Sequence, residues 1–140
     1  MKKRTVTAIV VGACVATSVV TAGALAAAGP GDAGEGSVFS AALGDLPGKR
    51  LTVLRVKYPP GGKSPAHKHA GDVFAYVLSG QVRSENSATG AARVYGTGES
   101  FFEPAGSTHL VSENASATEP AAFLAFFVAD DGATLTTKAR

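Results

Sequence analysis

The sequence has 140 residues, of which 45% are apolar, and its 13 basic and 11 acidic side chains give a formal charge of +2. That length accommodates one domain of ordinary size, and a single cysteine excludes an intramolecular disulfide framework and a thiolate zinc cluster. The small charge, without basic clusters interleaved with aromatics, argues against nucleic-acid binding. The 17 glycines and 7 prolines favour short strands and turns over a helical bundle.

The start of the chain has the layout of a secretory signal peptide. Residues 2–4 are basic, residues 5–28 carry no charge, and Ala-Leu-Ala at 24–26 is a small-X-small cleavage pattern. We therefore predict a signal peptide at 1–26 that is cleaved, and a secreted or extracytoplasmic protein. A retained membrane anchor is the alternative, because about 20 apolar residues can span a bilayer. The Ala/Thr/Gly-rich composition of residues 5–28 is weakly hydrophobic for a permanent membrane anchor.

Two other export signals fit less well. The segment 11–14 resembles a lipobox, but only nine uncharged residues precede Cys14 and an apolar run follows it. A twin-arginine signal needs two adjacent arginines, whereas the chain has Lys3 and Arg4. Removal of residues 1–26 takes away three basic residues, leaving 10 basic against 11 acidic ones, a net charge of −1.

The remainder is predicted to be one all-β domain. Residues 27–36 are predicted to form a flexible linker rich in glycine, followed by the domain at 37–130 and a tail at 131–140. Short apolar and β-branched segments bounded by Gly/Pro turns predict strands at 51–58, 73–78, 81–84, 92–95, 100–103, 109–112 and 121–128. Strand-and-turn units at a spacing of ~8–12 residues predict a sandwich or closed barrel.

Three histidines are the candidates for chemistry: His67, His69 and His109, each beside a Gly/Pro turn. On an extended segment the i and i+2 side chains point to the same face. Neutral imidazoles side by side need polar partners, and a metal ion is one, because imidazole suits Zn, Cu, Fe and Ni. Histidines at a solvated surface fit this spacing equally well.

The arrangement of glycines around these histidines resembles the two motifs of the cupin superfamily. The segment from Gly61 to Gly80, G(x)5HxH(x)10G, resembles the first, G(x)5HxH(x)3–4E(x)6G. The segment from Gly98 to His109, G(x)5PxG(x)2H, resembles the second, G(x)5PxG(x)2H(x)3N, with the asparagine one place late at Asn114. The 17 residues between them are within the short spacing of bacterial cupins. The resemblance implies a small double-sheet β-barrel, or jelly roll, with a metal inside.

The resemblance also implies a ligand set. His67, His69 and His109 match the metal-binding histidines of the family, but the glutamate position of the first motif falls on Val73. Asp72 is adjacent, yet a shift of one residue along a strand turns a side chain to the other face. We therefore predict that Asp72 points outward, unless a bulge brings it in.

Glu103 precedes Pro104, at a position where cupins usually carry an apolar residue. We predict that Glu103 faces the cavity as a catalytic candidate: a replacement ligand, an orienter of a histidine or an acid–base group. The alternative is that the strand presents Glu103 to solvent, or to Arg83 or Arg93 across the sheet.

Three imidazoles and a water form an established catalytic zinc set, so the expected cofactor is a divalent transition metal: Fe, Mn, Ni, Zn or Cu. An exported chain would acquire its metal outside the cytosol. We therefore expect it to bind Zn, Mn, Ni or Cu at least as readily as Fe(II). Two functions follow. One is a dioxygenase-like or related enzyme acting on a small oxygenated molecule. The other is a non-enzymatic module that binds a small molecule with the metal as anchor.

The predicted partner is a small molecule, with neither nucleic acid nor stable membrane insertion after signal cleavage. A homodimer that pairs through the apolar strand 121–128 is a further hypothesis. The aromatic side chains are predicted to serve as core or dimer contacts: Tyr76, Phe101, Phe102, Phe123, Phe126 and Phe127.

Overall fold

The computed structural model describes residues 34–140, which form eleven strands and no helix. In chain order the strands are β1 (Gly34–Ala42), β2 (Lys49–Tyr58), β3 (Lys63–Ser64), β4 (His67–His69), β5 (Asp72–Ser79), β6 (Gln81–Asn86), β7 (Gly90–Gly96), β8 (Ser100–Glu103), β9 (Thr108–Asn114), β10 (Ala121–Asp130) and β11 (Thr136–Lys138). They form a five-stranded sheet in the order β1-β2-β10-β5-β8 and a six-stranded sheet in the order β11-β4-β9-β6-β7, with β3 also paired to β9.

The prediction of an all-β, double-sheet fold is confirmed, and each of the seven predicted strands is present. Alternation of apolar side chains explains why: on β5, Val73, Ala75 and Val77 are buried while the residues between them are exposed. The opposite sheet contributes Val82 from β6 to the same core. One face of each sheet therefore closes on the other, and all pairings are antiparallel.

The ends of the domain differ from the prediction. Strand β1 begins at Gly34, inside the segment 27–36 that was predicted to be a linker, and β11 lies in the predicted tail 131–140. Glycine, serine and alanine have low strand propensity, so pairing with β2 rather than local preference makes β1 a strand. The predicted signal peptide, 1–26, lies outside the described residues. Among residues 34–140, no helix has the length and hydropathy needed to span a bilayer.

The hypothesis that segment 121–128 is a free edge strand is wrong. These residues belong to β10, which pairs with β2 on one side and with β5 on the other. Its backbone groups are therefore already hydrogen-bonded along both edges, and it cannot add a strand from a second chain.

The aromatic residues divide between two faces. Phe101, Phe123 and Phe127 are buried in the core, as predicted for core contacts. Tyr76 and Phe102 point away from it and are exposed, because their neighbours in sequence take the inward positions of β5 and β8.

A bulge in β9 explains the late asparagine of the second motif. Asn86 pairs with His109 and Glu85 pairs with Val111, so Leu110 is an extra residue on β9. His109 and Asn114 both point inward and are buried, which a regular strand would not allow at this odd spacing. Asn114 then donates hydrogen bonds to the carbonyls of Pro59 and Glu119 and ties two loops together.

The glycines of the motif-like segments have a backbone conformation that other residues rarely adopt. Gly61, Gly80, Gly98 and Gly106 all have φ between 68° and 86°. At Gly80, between β5 and β6, a Cβ atom would also lie 2.5 Å from the carbonyl oxygen of Pro120. This glycine therefore serves both the turn and the close approach of that turn to the start of β10.

We expect Gly80→Ala to destabilise the fold more than Gly106→Ala. Both substitutions place a Cβ at positive φ, which costs about 1–2 kcal/mol, but a Cβ at Gly106 meets nothing within 4 Å. The clash at position 80 adds a further ~1–3 kcal/mol. Urea unfolding of the two variants measures the difference, and equal free energies of unfolding would contradict this account of Gly80.

Candidate metal centre

Two short strands bring the three predicted histidines together. His67 and His69 occupy the first and last positions of β4, so their rings point to the same face. His109 lies directly opposite His67 in the pairing of β4 with β9. The potential ligand atoms of the three side chains all lie within 4.8 Å of one another. The register of two strands thus produces the histidine cluster that the sequence spacing indicated.

Hydrogen bonds at Nδ1 orient the rings of His67 and His69 toward each other. Nδ1 of His67 lies 2.8 Å from the carbonyl oxygen of Pro65, and Nδ1 of His69 lies 3.3 Å from that of Leu135. A carbonyl only accepts, so Nδ1 of His67 carries the proton and its Nε2 has a free lone pair. Nδ1 of His69 also lies 3.2 Å from Thr136 Oγ1, and its Nε2 faces that of His67. These two Nε2 atoms are 3.1 Å apart. Both atoms are imidazole nitrogens aimed at the same point, and a cation between them would accept a lone pair from each, so this donor set fits a divalent metal.

Glu103 completes the cluster from the opposite sheet. Glu103 is 3% exposed, and its Oε2 accepts a hydrogen bond from Nδ1 of His109 at 2.9 Å and lies 3.6 Å from Nε2 of His69. The two arginines considered as alternative partners pair elsewhere, Arg83 with Glu113 and Arg93 with Glu99. Glu103 therefore faces the interior beside the histidines.

The electrostatics of the cluster favour a charged Glu103 and a neutral His69. Burial by itself would raise the pKa of Glu103, but the hydrogen bond from His109 and the attraction of His109 and His69 outweigh it and hold the pKa below its usual range. Burial lowers the pKa of His69, despite the opposing attraction of Glu103. An ionised carboxylate and neutral imidazoles are the forms that bind metals.

The register of β5 and β8 relates Glu103 to the missing glutamate. Val73, which occupies the glutamate position of the first motif, pairs directly with Glu103. Both side chains are buried on the same inner face, and Cβ atoms of directly opposed residues are ~5 Å apart. Asp72 points outward and is exposed, as predicted, and it accepts a hydrogen bond from the Ala105 amide.

Two residues around the site were not singled out from the sequence, Ser84 and Asn86 on β6. Ser84 Oγ lies 2.8 Å from Nε2 of His109, so the hydroxyl and Glu103 hold the ring from both sides. Asn86 Nδ2 lies 3.5 Å from Glu103 Oε2 and donates to Ser107 Oγ at 2.9 Å. The signal was present: strict alternation places Ser84 and Asn86, both polar, at inward positions of β6.

The cluster opens into a narrow cavity with one polar and one apolar wall. The polar wall carries the Tyr58 hydroxyl, 2.8 Å from Ser64 Oγ and 2.7 Å from Ser112 Oγ. Burial raises the pKa of Tyr58, which keeps its hydroxyl protonated. The apolar wall is formed by Val56, Phe123, Ala125 and Phe127, with the exposed Glu35 of β1 at the rim. The free space between these side chains holds only about one or two waters.

Comparison with known proteins agrees with the geometry. The family model described as "Cupin domain" matches residues 54–127, more than half of the chain. The chain is a cupin. The match includes His67, His69, Val73, Glu103 and His109, and it begins within β2 and ends within β10.

Solved structures share the fold of this cupin. A protein with a double-stranded beta-helix domain from Klebsiella pneumoniae has a TM-score of 0.61 at 19% identity, over 81% of this chain and 89% of that one. The DMSP lyase DddQ from Ruegeria pomeroyi has a TM-score of 0.55 at 22% identity, over 64% and 43%. Oxalate decarboxylase from Bacillus subtilis has a TM-score of 0.53 at 27% identity, over 63% and 23%.

The chain spans less than half the length of the lyase and about a quarter of the decarboxylase. Likeness at 19% and 22% identity shows the fold and not the activity. A search of curated proteins finds no match.

We expect His67→Ala to lose most metal binding, because it removes one of the two Nε2 donors that face each other at 3.1 Å. Lys68→Ala is the matched control, since Lys68 lies between the two histidines in sequence but is exposed. Elemental analysis after metal loading and desalting measures the stoichiometry of both variants. Full metal content in His67→Ala would place the metal elsewhere.

Proposed function

We propose that this cupin holds a divalent transition metal with His67, His69, His109 and Glu103, and acts there on a small oxygenated molecule. In this proposal Glu103 supplies from β8 the carboxylate that the family motif supplies from the position of Val73. The pairing of Val73 with Glu103 carries the proposal, because it puts a carboxylate on the same inner face, one strand away.

The charge of the site supports a carboxylate ligand. Three neutral imidazoles leave the full charge of the metal in a buried cavity, which is costly unless an anion compensates it. The buried carboxylate of Glu103 would provide that compensation within the chain. Metal binding would require Nδ1 of His109 to give up its proton and its hydrogen bond to Glu103. Ser84 would still hold the other ring nitrogen of His109, and Asn86 would hold Glu103, from outside the cluster, as outer partners do in other metal sites.

The cavity walls indicate the kind of ligand. A bound metal would polarise an oxygen atom of the ligand or lower the pKa of a bound water. The Tyr58 hydroxyl and its two serine partners can hydrogen-bond a polar end of the ligand, while Phe123 and Phe127 exclude water on the other side. The narrow space favours O2, water or a small oxygenated molecule over a bulky substrate.

The comparison with oxalate decarboxylase is compatible with this ligand class. That protein contains Mn(II) centres and is named for a small dicarboxylate. The part that resembles this chain is about a quarter of it, so we transfer the class of ligand and a divalent metal, and not the reaction.

The alternative is a non-enzymatic module that captures a small ligand with the metal as anchor. The narrowness of the cavity favours this alternative, because room for one or two waters leaves little space for a substrate and a co-substrate together. The two functions share the metal site and differ in turnover.

Export is a further part of the proposal, supported by the basic start and uncharged run of residues 1–28. A chain that folds outside the cytosol would load Zn, Mn, Ni or Cu at least as readily as Fe. We expect protein recovered from the cell envelope or medium to lack residues 1–26 and to carry Zn, Mn, Ni or Cu. N-terminal sequencing and elemental analysis of that fraction test both points. Full-length cytosolic protein or stoichiometric iron would contradict them.

We expect Glu103→Gln to weaken metal affinity by about 10–100-fold, since it removes the negative charge and leaves the side-chain shape. Asp72→Asn is the matched control, because Asp72 is an exposed carboxylate next to Val73. Competition with a chelating dye measures both affinities.

A relocated carboxylate makes the same test sharper. In Val73→Glu/Glu103→Val the carboxylate returns to the family's position, and we expect affinity within about 10-fold of the parent. An unchanged affinity in Glu103→Gln would rule out a ligand role for Glu103. A double variant as weak as Glu103→Val alone would count against the equivalence of the two positions.

Turnover separates the two functions. We expect the metal-loaded protein to consume O2 or release CO2 with one member of a panel of diketones, thiols, flavonols and two- to three-carbon acids, and we expect His67→Ala to be inactive. Oxygen-electrode and headspace measurements with each metal provide the readout. Binding of a panel member by calorimetry without turnover under any metal would overturn the enzymatic proposal in favour of the binding module.

A further inference from the structure

The first strand brings a second carboxylate to the mouth of the metal cavity. Strand β1 is an edge of the five-stranded sheet and pairs with β2. In that pairing Glu35 lies directly opposite Val56, which is buried in the core. Directly opposed residues point to the same face of a sheet, so Glu35 points inward, and it lines the cavity that holds the histidines. Of the described residues that form this wall, Glu35 alone is exposed. It therefore marks the mouth of the cavity.

The charge of Glu35 is not balanced by a neighbouring cation. Glu35 forms no ion pair with another residue of the range 34–140. Arg55 and Lys57 flank Val56 in sequence, but alternation along β2 turns both to the outer face of the sheet. Among the described residues of the cavity wall, two are acids, Glu35 and Glu103, and none is a lysine or an arginine.

The carboxylate of Glu35 acts on the polar wall of the cavity. Burial is the main cause of the raised pKa of Tyr58, and the negative charges of Glu35 and Glu103 raise this pKa further. The Tyr58 hydroxyl itself is held by Ser64 and Ser112. The cavity thus has the histidine cluster at its inner end, hydroxyl groups along one wall and an uncompensated negative charge at its mouth.

The size of the cavity makes a ligand reach Glu35. The free space beside the histidines holds only about one or two waters, so it admits the end of a ligand that binds the metal and little more. The remainder of the ligand has to lie toward the mouth, beside Glu35. A carboxylate there accepts hydrogen bonds and attracts a positive charge, whereas it repels a second anionic group.

We propose that Glu35 selects small zwitterionic ligands, in which an oxygen binds the metal and an ammonium group at the far end lies beside Glu35. This inference rests on the proposed function, because the metal held by the histidines fixes the near end of the ligand. A neutral ligand gains nothing from Glu35, and a dianion of the same length meets repulsion. Glu35 is therefore a specificity-determining residue, and part of its effect is rejection of the wrong charge.

The expected selection is modest, because Glu35 is exposed to solvent. A charge pair in contact with water changes a binding constant by about 2–5-fold, and partial enclosure at the mouth increases this to roughly 3–10-fold. Salt screens such a contact, so we expect the preference to shrink between 20 mM and 500 mM sodium chloride. The metal lies deeper in the cavity, and its binding is expected to be unaffected by Glu35.

Calorimetric titration of the metal-loaded protein with matched pairs of acids tests the selection. Each pair has one chain length, without and with a terminal ammonium group: propionate and β-alanine, butyrate and 4-aminobutyrate, pentanoate and 5-aminopentanoate. We expect the amino acid to bind about 3–10-fold more tightly in at least one pair, and the advantage to disappear in Glu35→Gln. Asp45→Asn is the matched control, since Asp45 is an exposed acid in the turn between β1 and β2 and does not line the cavity. This variant is expected to keep the preference.

A charge reversal tests the direction of the effect. We expect Glu35→Lys to bind glutarate more tightly than 5-aminopentanoate, the opposite order to the parent protein. Elemental analysis of each variant separates two kinds of failure. A protein without metal at the histidines would overturn the proposed function and this inference together. A metal-loaded protein that binds both members of every pair equally, that binds neither, or that keeps its preference in Glu35→Gln would overturn the role of Glu35 alone.

Discussion

The hydrogen bond from His109 to Glu103 joins the two sheets at the point where the site forms. His109 belongs to the six-stranded sheet and Glu103 to the five-stranded one, and both side chains are buried. A buried carboxylate needs a partner of opposite charge or a good donor, so this contact fixes how the two sheets meet on that side of the barrel. Ser84 and Asn86 support it from β6, and His67 reaches the same point through its pairing with His109. The fold and the proposed metal centre therefore depend on the same few polar contacts in an otherwise apolar interior.

The sequence was most informative where chemistry and spacing agreed. His67, His69 and His109 could be assigned because an HxH pair has only one geometry on a strand, and because the glycines around it occupy turns with positive φ. Glu103 was recognisable as unusual, but its relation to Val73 depends on which strand lies beside which. Cross-strand register is a property of the assembled sheet, so the local pattern could not supply it. Ser84 and Asn86 were visible in the alternation of β6, yet nothing local said what they would contact.

The regions that the sequence pattern missed or misplaced each have a physical cause. Strands β3, β4 and β11 are two or three residues long, which is too short for periodicity to appear. Strand β1 has the composition of a linker and is held by its pairing with β2. The strand at 121–128 was apolar enough for an edge that meets another chain, but alternation buries one of its faces in the core and leaves the other half-buried on the outer face of the sheet. The same alternation places Val73 and Ala75 toward the metal centre and Phe74 and Tyr76 toward the outer face.

In the proposed metal centre, one metal ion is held jointly by both sheets, through three histidines and Glu103. Anomalous diffraction from crystals of the metal-loaded protein, recorded at the absorption edge of that metal, tests it most directly. We expect one strong peak within coordination distance, about 2.0–2.2 Å for a metal such as zinc, of a nitrogen from each of His67, His69 and His109 and of a carboxylate oxygen of Glu103. A peak bound by the histidines while Glu103 turns away, or a peak elsewhere in the barrel, would contradict it.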